Sequence, residues 1–189
     1  MKKFLLLVAV VSLLAGRVAA EKIDLGGGKI LLLTLPATWT TTDPVVPPSD
    51  LPLKGVNVRY VTRNGSNDAV LLTILPVPDD RFDDRDNLKQ LVLQATEQFV
   101  AGSVEGKADP TEIRLGGATG FCVTFTDAAL VGKPPVKDDY KVMTSCFVYL
   151  GEKVMVTATI FSDDPNGGAY AEGMRILKSI LLEMPKNPI

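Results

Sequence analysis

The chemistry open to this chain is limited first by one missing residue type, because the sequence contains no histidine. Histidine is the usual base that activates serine and cysteine nucleophiles, and it is the commonest ligand of protein-bound zinc. The Gly-x-Ser-x-Gly pattern that presents the nucleophile of α/β-hydrolases is also absent from the sequence. We therefore expect that the protein is not an enzyme and carries no cofactor.

Carboxylates are the remaining candidates for catalysis or metal binding. Five aspartates fall within residues 79–86, where Arg81 and Arg85 interrupt them, and further aspartates lie in the turn-like segment 163–166. Calcium binds carboxylate oxygens, but neither spacing is that of an EF-hand, and acidic residues also favour helix N-termini. We expect caps and turns here, and no metal site. A hydrolase that uses only carboxylates stays as an alternative, because the spacing of such a pair is spatial.

Two glycine-rich segments, 26–28 and 115–120, could suggest a phosphate-binding loop. Neither is followed by the Lys-Ser/Thr pair of such a loop. We expect the first to be a flexible lead-in to a strand and the second to be a turn between strands. The single tryptophan, Trp39, is expected to anchor the core.

The N-terminus has the three parts of a signal peptide. Positive charge at residues 1–3 is followed by an apolar run of eleven residues, 4–14, interrupted only by Ser12, which is too short to span a bilayer, since that needs about 20. A segment of mainly small residues ends at Ala20, before the polar Glu21. We expect cleavage between these two residues, export to the periplasm or medium, and no stable membrane anchor afterwards.

The expected mature chain, residues 21–189, is the size of one domain. Removing Lys2, Lys3 and Arg17 takes three positive charges from a chain of formal net charge −2 and leaves −5. A mildly acidic domain lacks the basic surface that nucleic-acid binding requires. Nucleic acid is therefore not an expected partner.

The two cysteines, Cys122 and Cys146, would both lie in the mature chain. An even pair in an exported protein predicts a disulfide, and the Cys-x-x-Cys spacing of a redox site is absent. The predicted bond closes a loop of about 23 residues and contributes about 3 kcal/mol in the chain-entropy model.

Hydrophobic periodicity predicts an α+β domain with a mostly antiparallel sheet flanked by helices. The predicted strands are residues 29–35, 56–60, 69–75, 111–115, 119–127, 139–150 and 153–161. A first helix has the apolar face Leu88, Leu91, Val92, Ala95 and Phe99. A second, extending to about Glu183, has the face Tyr170, Met174, Leu177 and Leu181.

Turn chemistry also predicts the pairing of the last three long strands. A two-residue turn at Gly151 and Glu152 would set Phe147 opposite Val156 and Met143 opposite Ile160. If the two cysteines face each other, Phe121 lies opposite Phe147 and Phe125 opposite Met143. All six apolar residues would then share one face: Phe121, Phe125, Met143, Phe147, Val156 and Ile160.

The order of these elements resembles a known family. A strand ends in Leu35-Pro36-Ala37-Thr38-Trp39, and a hairpin, an amphipathic helix, a long meander with its Gly151 turn and a C-terminal helix follow. This plan is similar to that of the PsbP-like superfamily, which includes exported bacterial proteins of the DcrB-like group, over nearly the whole mature chain. The resemblance implies an α/β/α sandwich with an accessory or binding role.

The leading hypothesis is therefore an exported, non-enzymatic accessory or binding protein whose partner is another protein or a small ligand. Its working surface would be the sheet face or one of two proline-containing loops, residues 40–52 and 131–139. One alternative is an immunity protein that neutralises a toxin or hydrolase in the periplasm. The other is the carboxylate-only hydrolase described above.

Overall fold

A computed structural model describes residues 19–42 and 55–185 of the chain. The expected signal peptide, except for its last two residues, lies outside this range, as do residues 43–52 of the first proline-containing loop. The fold below concerns the described residues.

Ten strands and two helices form the fold. The strands are β1 (Ala19–Gly26), β2 (Lys29–Leu35), β3 (Trp39–Thr41), β4 (Asn57–Arg63), β5 (Ala69–Pro76), β6 (Thr111–Leu115), β7 (Ala118–Thr126), β8 (Val142–Tyr149), β9 (Val154–Ser162) and β10 (Leu181–Glu183). The helices are α1 (Arg85–Val100) and α2 (Gly168–Lys178), and a short 3₁₀ turn at Arg81–Asp83 precedes α1.

The strands form two antiparallel sheets. The larger has the order β3-β4-β5-β9-β8-β7-β6, and the smaller has the order β1-β2-β10. Helix α1 packs on one face of the large sheet, over β7 and β8, while α2 contacts β9 and β2 on the other side. This arrangement is the α+β, α/β/α sandwich that the periodicity and the resemblance predicted.

Two apolar clusters separate the layers. Between the large sheet and α1 the buried side chains are Val77, Leu88, Val92, Phe121, Val123, Phe125, Tyr149 and Met155. On the other face, residues from β5, β8 and β9 pack against α2 and the small sheet, with Leu31, Leu33, Leu72, Ile160 and Leu177 among the most buried. One face of the central strand β9 is fully buried, whereas the other is buried at Met155 and half-buried at Thr157, Thr159 and Phe161.

Helix α1 begins where the sequence places an acidic cap. The Asp84 carboxylate accepts hydrogen bonds from the backbone N–H groups of Asp86 and Asn87, each at 2.9 Å. Two of the predicted inner residues, Leu88 and Val92, are buried. Phe99 is an exception, because it lies at the C-terminal end of the helix and is 37% exposed.

The pairing of β7 with β8 is the predicted one. Phe121 lies opposite Phe147, Cys122 opposite Cys146, and Phe125 opposite Met143. Placing the two cysteines opposite each other therefore predicted this register correctly.

The predicted pairing of β8 with β9 is wrong by one residue. The connection is a three-residue loop in which Gly151, Glu152 and Lys153 all have positive φ (84°, 53° and 60°), and the Leu150 N–H donates to the Val154 carbonyl. Phe147 therefore pairs with Thr157, and Val156 and Ile160 lie in the cluster on the opposite face. The prediction failed because it counted a two-residue turn, whereas Lys153 also belongs to the loop, and a shift of one residue moves every β9 side chain to the other face.

Two chain segments also differ from the predictions. The glycines at 26–28 are not a flexible lead-in but the end of strand β1 and a tight turn, because β1 precedes them and forms a hairpin with β2. Helix α2 ends at Lys178 rather than near Glu183, because the Ser179 hydroxyl accepts a hydrogen bond from the Thr34 N–H. The chain then pairs with β2 as β10, and Leu181 is 52% exposed instead of lying on a helix face.

Candidate functional site

An open cleft of about 280 Å³ lies between the C-terminal end of α1 and the neighbouring ends of β7, β8 and β9. Its floor is a row of three side chains across adjacent strands, since Phe125 pairs with Met143 and Met143 pairs with Phe161. The walls are Phe99 of α1 and Tyr140, which lies two residues before β8. We call this the aromatic cleft.

The aromatic rings of the cleft touch in two pairs. The ring centroids of Phe99 and Phe125 lie 6.0 Å apart, and those of Tyr140 and Phe161 lie 4.8 Å apart. These separations are typical of favourable aromatic contacts. In the floor, Phe125 is 4% exposed whereas Met143 and Phe161 are half-buried, and Phe99 in the wall is 37% exposed.

Tyr140 has its polar end directed away from the aromatic cleft. Its hydroxyl lies 3.0 Å from the Tyr60 hydroxyl, and its ring lies against Phe161. Burial, followed by the hydrogen bond with Tyr60, raises the pKa of the Tyr140 hydroxyl. Tyr140 therefore stays protonated at neutral pH and presents an uncharged ring to the cleft.

Besides Tyr140, the aromatic cleft is lined by five polar side chains, which we call its rim: Gln98, Ser103, Thr126, Asp127 and Lys141. Ser103 donates to the Val100 carbonyl at 2.9 Å, and an Asp127 carboxylate oxygen accepts from the Ala129 N–H at 2.7 Å. The charged groups of the rim are the carboxylate of Asp127 and the ammonium group of Lys141, which have opposite charges. The rim therefore favours neither a cationic nor an anionic ligand.

The segment that follows α1 is fixed beside the cleft by Glu105. Its carboxylate accepts hydrogen bonds from the N–H and hydroxyl of Thr126, at 2.8 and 2.9 Å. Val104, in the same segment, is 58% exposed, and Val131, in the loop after β7, is 57% exposed. Exposed apolar side chains on these flanking segments accompany the apolar lining of the cleft.

The structure joins the two predicted cysteines in a disulfide whose Cα atoms are 4.0 Å apart. This separation is closer to the roughly 4.5 Å of a non-hydrogen-bonded antiparallel pair than to the roughly 5.5 Å of a hydrogen-bonded one. Cys122 and Cys146 belong to the cluster against α2 and the small sheet. The bond therefore lies on the face opposite the aromatic cleft.

Trp39 is a core anchor, as expected, and is 4% exposed. Its indole N–H donates to the Glu172 carboxylate at 2.8 Å, and Arg63 pairs with the same carboxylate at 3.0 Å. The hydrogen bond from Trp39, then the contact with Arg63, lowers the pKa of Glu172 despite its partial burial. This group ties α2 to β3 and β4.

The acidic segment 79–86 performs local structural roles. Asp84 caps α1, and Asp79 forms an ion pair with Arg81 at 2.7 Å, whose hydrogen bonds lower the pKa of Asp79 to about 2. Asp80 accepts a hydrogen bond from the Tyr149 hydroxyl. Within residues 19–42 and 55–185, no three Asp, Glu or Cys side chains meet in a group that could hold a metal.

The other candidate segments are turns or sheet contacts. Gly27 and Gly28 form the turn between β1 and β2, and Gly116 and Gly117 form the turn between β6 and β7. Asp164 accepts from the Asn166 N–H in the turn before α2. At the predicted cleavage site, Ala20 pairs with Thr34, and Glu21 forms an ion pair with Arg59 at 3.3 Å.

The aromatic cleft was not predicted from the sequence. Phe99 was assigned to the buried face of the first helix, and Phe161 and Tyr140 were placed in strands without a functional role. The available signal was that the predicted working loop, residues 131–139, leads directly into Tyr140.

None of the helices in the described part of the chain has the length and apolar character needed to cross a membrane.

Comparison with known proteins identifies the fold. No family model matches the chain, and no curated protein matches it by sequence. The solution structure of the cyanobacterial PsbP protein CyanoP, from Synechocystis sp. PCC 6803, is similar over 94% of this chain and 99% of that chain, with 9% sequence identity and a TM-score of 0.54. The crystal structure of the Ran-binding protein Mog1p from Saccharomyces cerevisiae covers 87% of this chain and 96% of its own, with 13% identity and a TM-score of 0.46. The described chain therefore has the PsbP-like fold that its order of elements predicted.

Proposed function

We propose that this protein is exported and acts as a non-enzymatic binding protein that takes an uncharged aromatic group into the aromatic cleft. The observation that supports this proposal is the apolar and aromatic lining of the cleft. Phe125, Met143 and Phe161 form an apolar floor, and the Phe99 wall is 37% exposed. Partly exposed aromatic side chains around an apolar concavity are typical of binding sites.

The volume of the cleft supports a small occupant. At about 280 Å³ it is slightly below the range of pockets that enclose drug-sized molecules. One ring system with a short substituent fits this space. The same chemistry is available from a free small molecule or from an aromatic side chain of a partner protein, which commonly anchors an interface in such a pocket.

The polar groups of the cleft support binding rather than catalysis. The Ser103 hydroxyl donates to a backbone carbonyl, and the Thr126 hydroxyl donates to Glu105. The Ser103 hydroxyl thus bonds to a group that cannot remove its proton, and the Glu105 carboxylate is held by both the backbone N–H and the hydroxyl of Thr126. The raised pKa of Tyr140 makes its hydroxyl a poor acid at neutral pH.

Saturation-transfer NMR with indole tests the proposal. Indole should receive magnetisation from the wild-type protein, and Phe99→Asp should reduce the effect strongly because it places a charge in the wall. Leu181→Asp is the matched control, since Leu181 is 52% exposed on β10 and does not line the cleft. Equal transfer to indole from all three proteins would overturn the proposal.

A second arm distinguishes the two sources of the ring. N-acetyltryptophanamide carries the same indole between two peptide groups. Binding at least tenfold tighter than that of indole would identify a partner's side chain as the occupant. Equal or weaker binding would identify a free small molecule.

A further inference from the structure

Asn67, in the turn between β4 and β5, makes three hydrogen bonds to one distant loop. Its amide nitrogen donates to the carbonyl oxygens of Val136 and Asp139 at 3.0 and 2.9 Å, and its amide oxygen accepts from the Asp138 N–H at 3.0 Å. Two acceptors and one donor can be satisfied by an asparagine amide in only one orientation. Asn67 therefore holds the turn at residues 136–139 in one position.

This turn leads directly to Tyr140. Asp138 has a φ of 66°, a conformation that costs free energy for a residue other than glycine and needs support from its surroundings. The hydrogen bond from its N–H to Asn67 supplies such support. The position of the Tyr140 backbone thus depends on a side chain 73 positions earlier in the sequence.

Tyr140 separates two concavities. Its ring lies against Phe161, which lines the aromatic cleft but not the second concavity. Its hydroxyl contacts Tyr60, which lines the second concavity but not the aromatic cleft. We call this second concavity the polar groove. Asn67 lines the polar groove and not the aromatic cleft. Movement of Tyr140 would join the two spaces and allow a longer ligand to enter.

We propose that Asn67 is a positioning residue that holds Tyr140 as the end wall of the aromatic cleft, so that the cleft accepts a single ring system and rejects a larger one. This inference rests on the binding function proposed above. It also makes a claim that is independent of any ligand, namely that the Tyr140–Phe161 contact requires the three hydrogen bonds of Asn67.

The experiment compares two neutral aromatic probes, indole and the larger N-phenyl-1-naphthylamine, on four variants. Asn67→Ala and Tyr140→Ala should both shift the ratio of the two dissociation constants toward the larger probe, by about fivefold to tenfold, as expected for releasing one ordered wall. Asn67→Asp should behave like Asn67→Ala, because a carboxylate cannot donate to the two carbonyls. Tyr140→Phe should leave the ratio within about twofold, since it keeps the ring.

Asn64→Ala is the matched control, because Asn64 lies in the same turn and its side chain contacts Thr40 instead of the 136–139 loop. It should leave the ratio unchanged. Nuclear Overhauser contacts between the Tyr140 and Phe161 rings should weaken in Asn67→Ala and persist in Asn64→Ala. A purely structural role would lower stability without changing the probe ratio, and that result would overturn the inference.

The outcomes separate the inference from the proposed function. If wild-type protein binds neither probe, the proposed function fails and the ligand part of the inference fails with it. If it binds indole but Asn67→Ala keeps the wild-type ratio and the ring contact, only the positioning role fails. Loss of the ring contact with an unchanged ratio would likewise overturn the role of Tyr140 as a size limit.

Discussion

At the scale of single residues, Trp39 shows what can and what cannot be predicted from the sequence. Its type and its place after Pro36 indicated a core anchor, and it is one. Its partners are far away in sequence, because Glu172 lies 133 positions later. No local sequence pattern predicts a contact between residues so far apart in the chain. Only the fold brings the indole, the carboxylate and Arg63 together.

Replacing Glu172 with glutamine should lower the free energy of unfolding by about 1–2 kcal/mol at pH 7, because a charged hydrogen-bonding partner of Trp39 and Arg63 is lost. The pKa of Glu172 is lowered in the folded state from its ordinary value of 4.5. The carboxylate therefore stabilises the fold above pH 4.5, and this contribution is lost as the pH falls through the lower, folded-state pKa. Urea unfolding at pH 7 and pH 3 measures the difference.

Glu97→Gln is the control for this substitution, because Glu97 is exposed on α1. It should unfold like the wild type at both pH values. A gap between wild type and Glu172→Gln that is as large at pH 3 as at pH 7 would contradict the assignment of the stabilisation to the ionised carboxylate.

At the scale of elements, the register of one strand pair was predicted correctly and that of the next was not. The β7–β8 register was correct because it was set by placing Cys122 opposite Cys146, which are paired in the structure. The β8–β9 register was wrong because the turn was counted as two residues, whereas the loop has three, Gly151, Glu152 and Lys153. That error also hid the cleft, since it placed Ile160 where the floor residue Phe161 lies opposite Met143.

Removing the disulfide should lower the free energy of unfolding without altering the cleft. Cys122→Ser with Cys146→Ser opens a loop whose ends are 24 positions apart, which corresponds to about 3 kcal/mol in the chain-entropy model and to about 1–4 kcal/mol in practice. Urea unfolding with and without reductant measures the loss. Indole affinity should stay constant, because the bond lies on the opposite face. Two reactive thiols per oxidised, denatured chain would contradict the bond.

Gly120, in β7, should not tolerate replacement by a residue with a side chain. A Cβ added there would lie 2.6 Å from Val148 and 2.7 Å from the Phe147 carbonyl oxygen, whereas one added at Gly117 meets nothing within 4 Å. Gly120→Ala should therefore lower the free energy of unfolding by about 1–3 kcal/mol, as overpacking does. Gly117→Ala, its control, should change it by less than about 0.5 kcal/mol. Equal effects in thermal or urea unfolding would contradict the close packing of β7 and β8.

At the scale of the whole molecule, the layered fold could be predicted and the cleft could not. Helix and strand periodicities fix which faces are buried, and these decide the sandwich. The cleft is made by three segments that meet only in the folded chain: the end of α1, the strand row Phe125, Met143 and Phe161, and Tyr140. Its shape also depends on Asn67, whose polar side chain gives no hydrophobic signal.

Export remains a prediction about the whole chain. The tripartite N-terminus predicts that protein recovered from the periplasm or medium begins at Glu21, which mass spectrometry of the intact chain would show. A chain that begins there keeps the carboxylate of Glu21 beside Arg59. Recovery of a chain that still begins at Met1 and sediments with membranes would contradict the prediction.

The proposed binding of an aromatic group in the cleft is tested most directly by the methyl signals of the methionines. Met143 lies on the cleft floor, whereas Met155 is buried beneath α1 and does not line the cleft. The Met155 signal is therefore an internal reference for the Met143 signal. In protein labelled with ¹³C at the methionine methyls, titration with indole should move the Met143 signal progressively to saturation and leave Met155 in place. An unmoved Met143 signal, or an equal shift of both, would contradict the account.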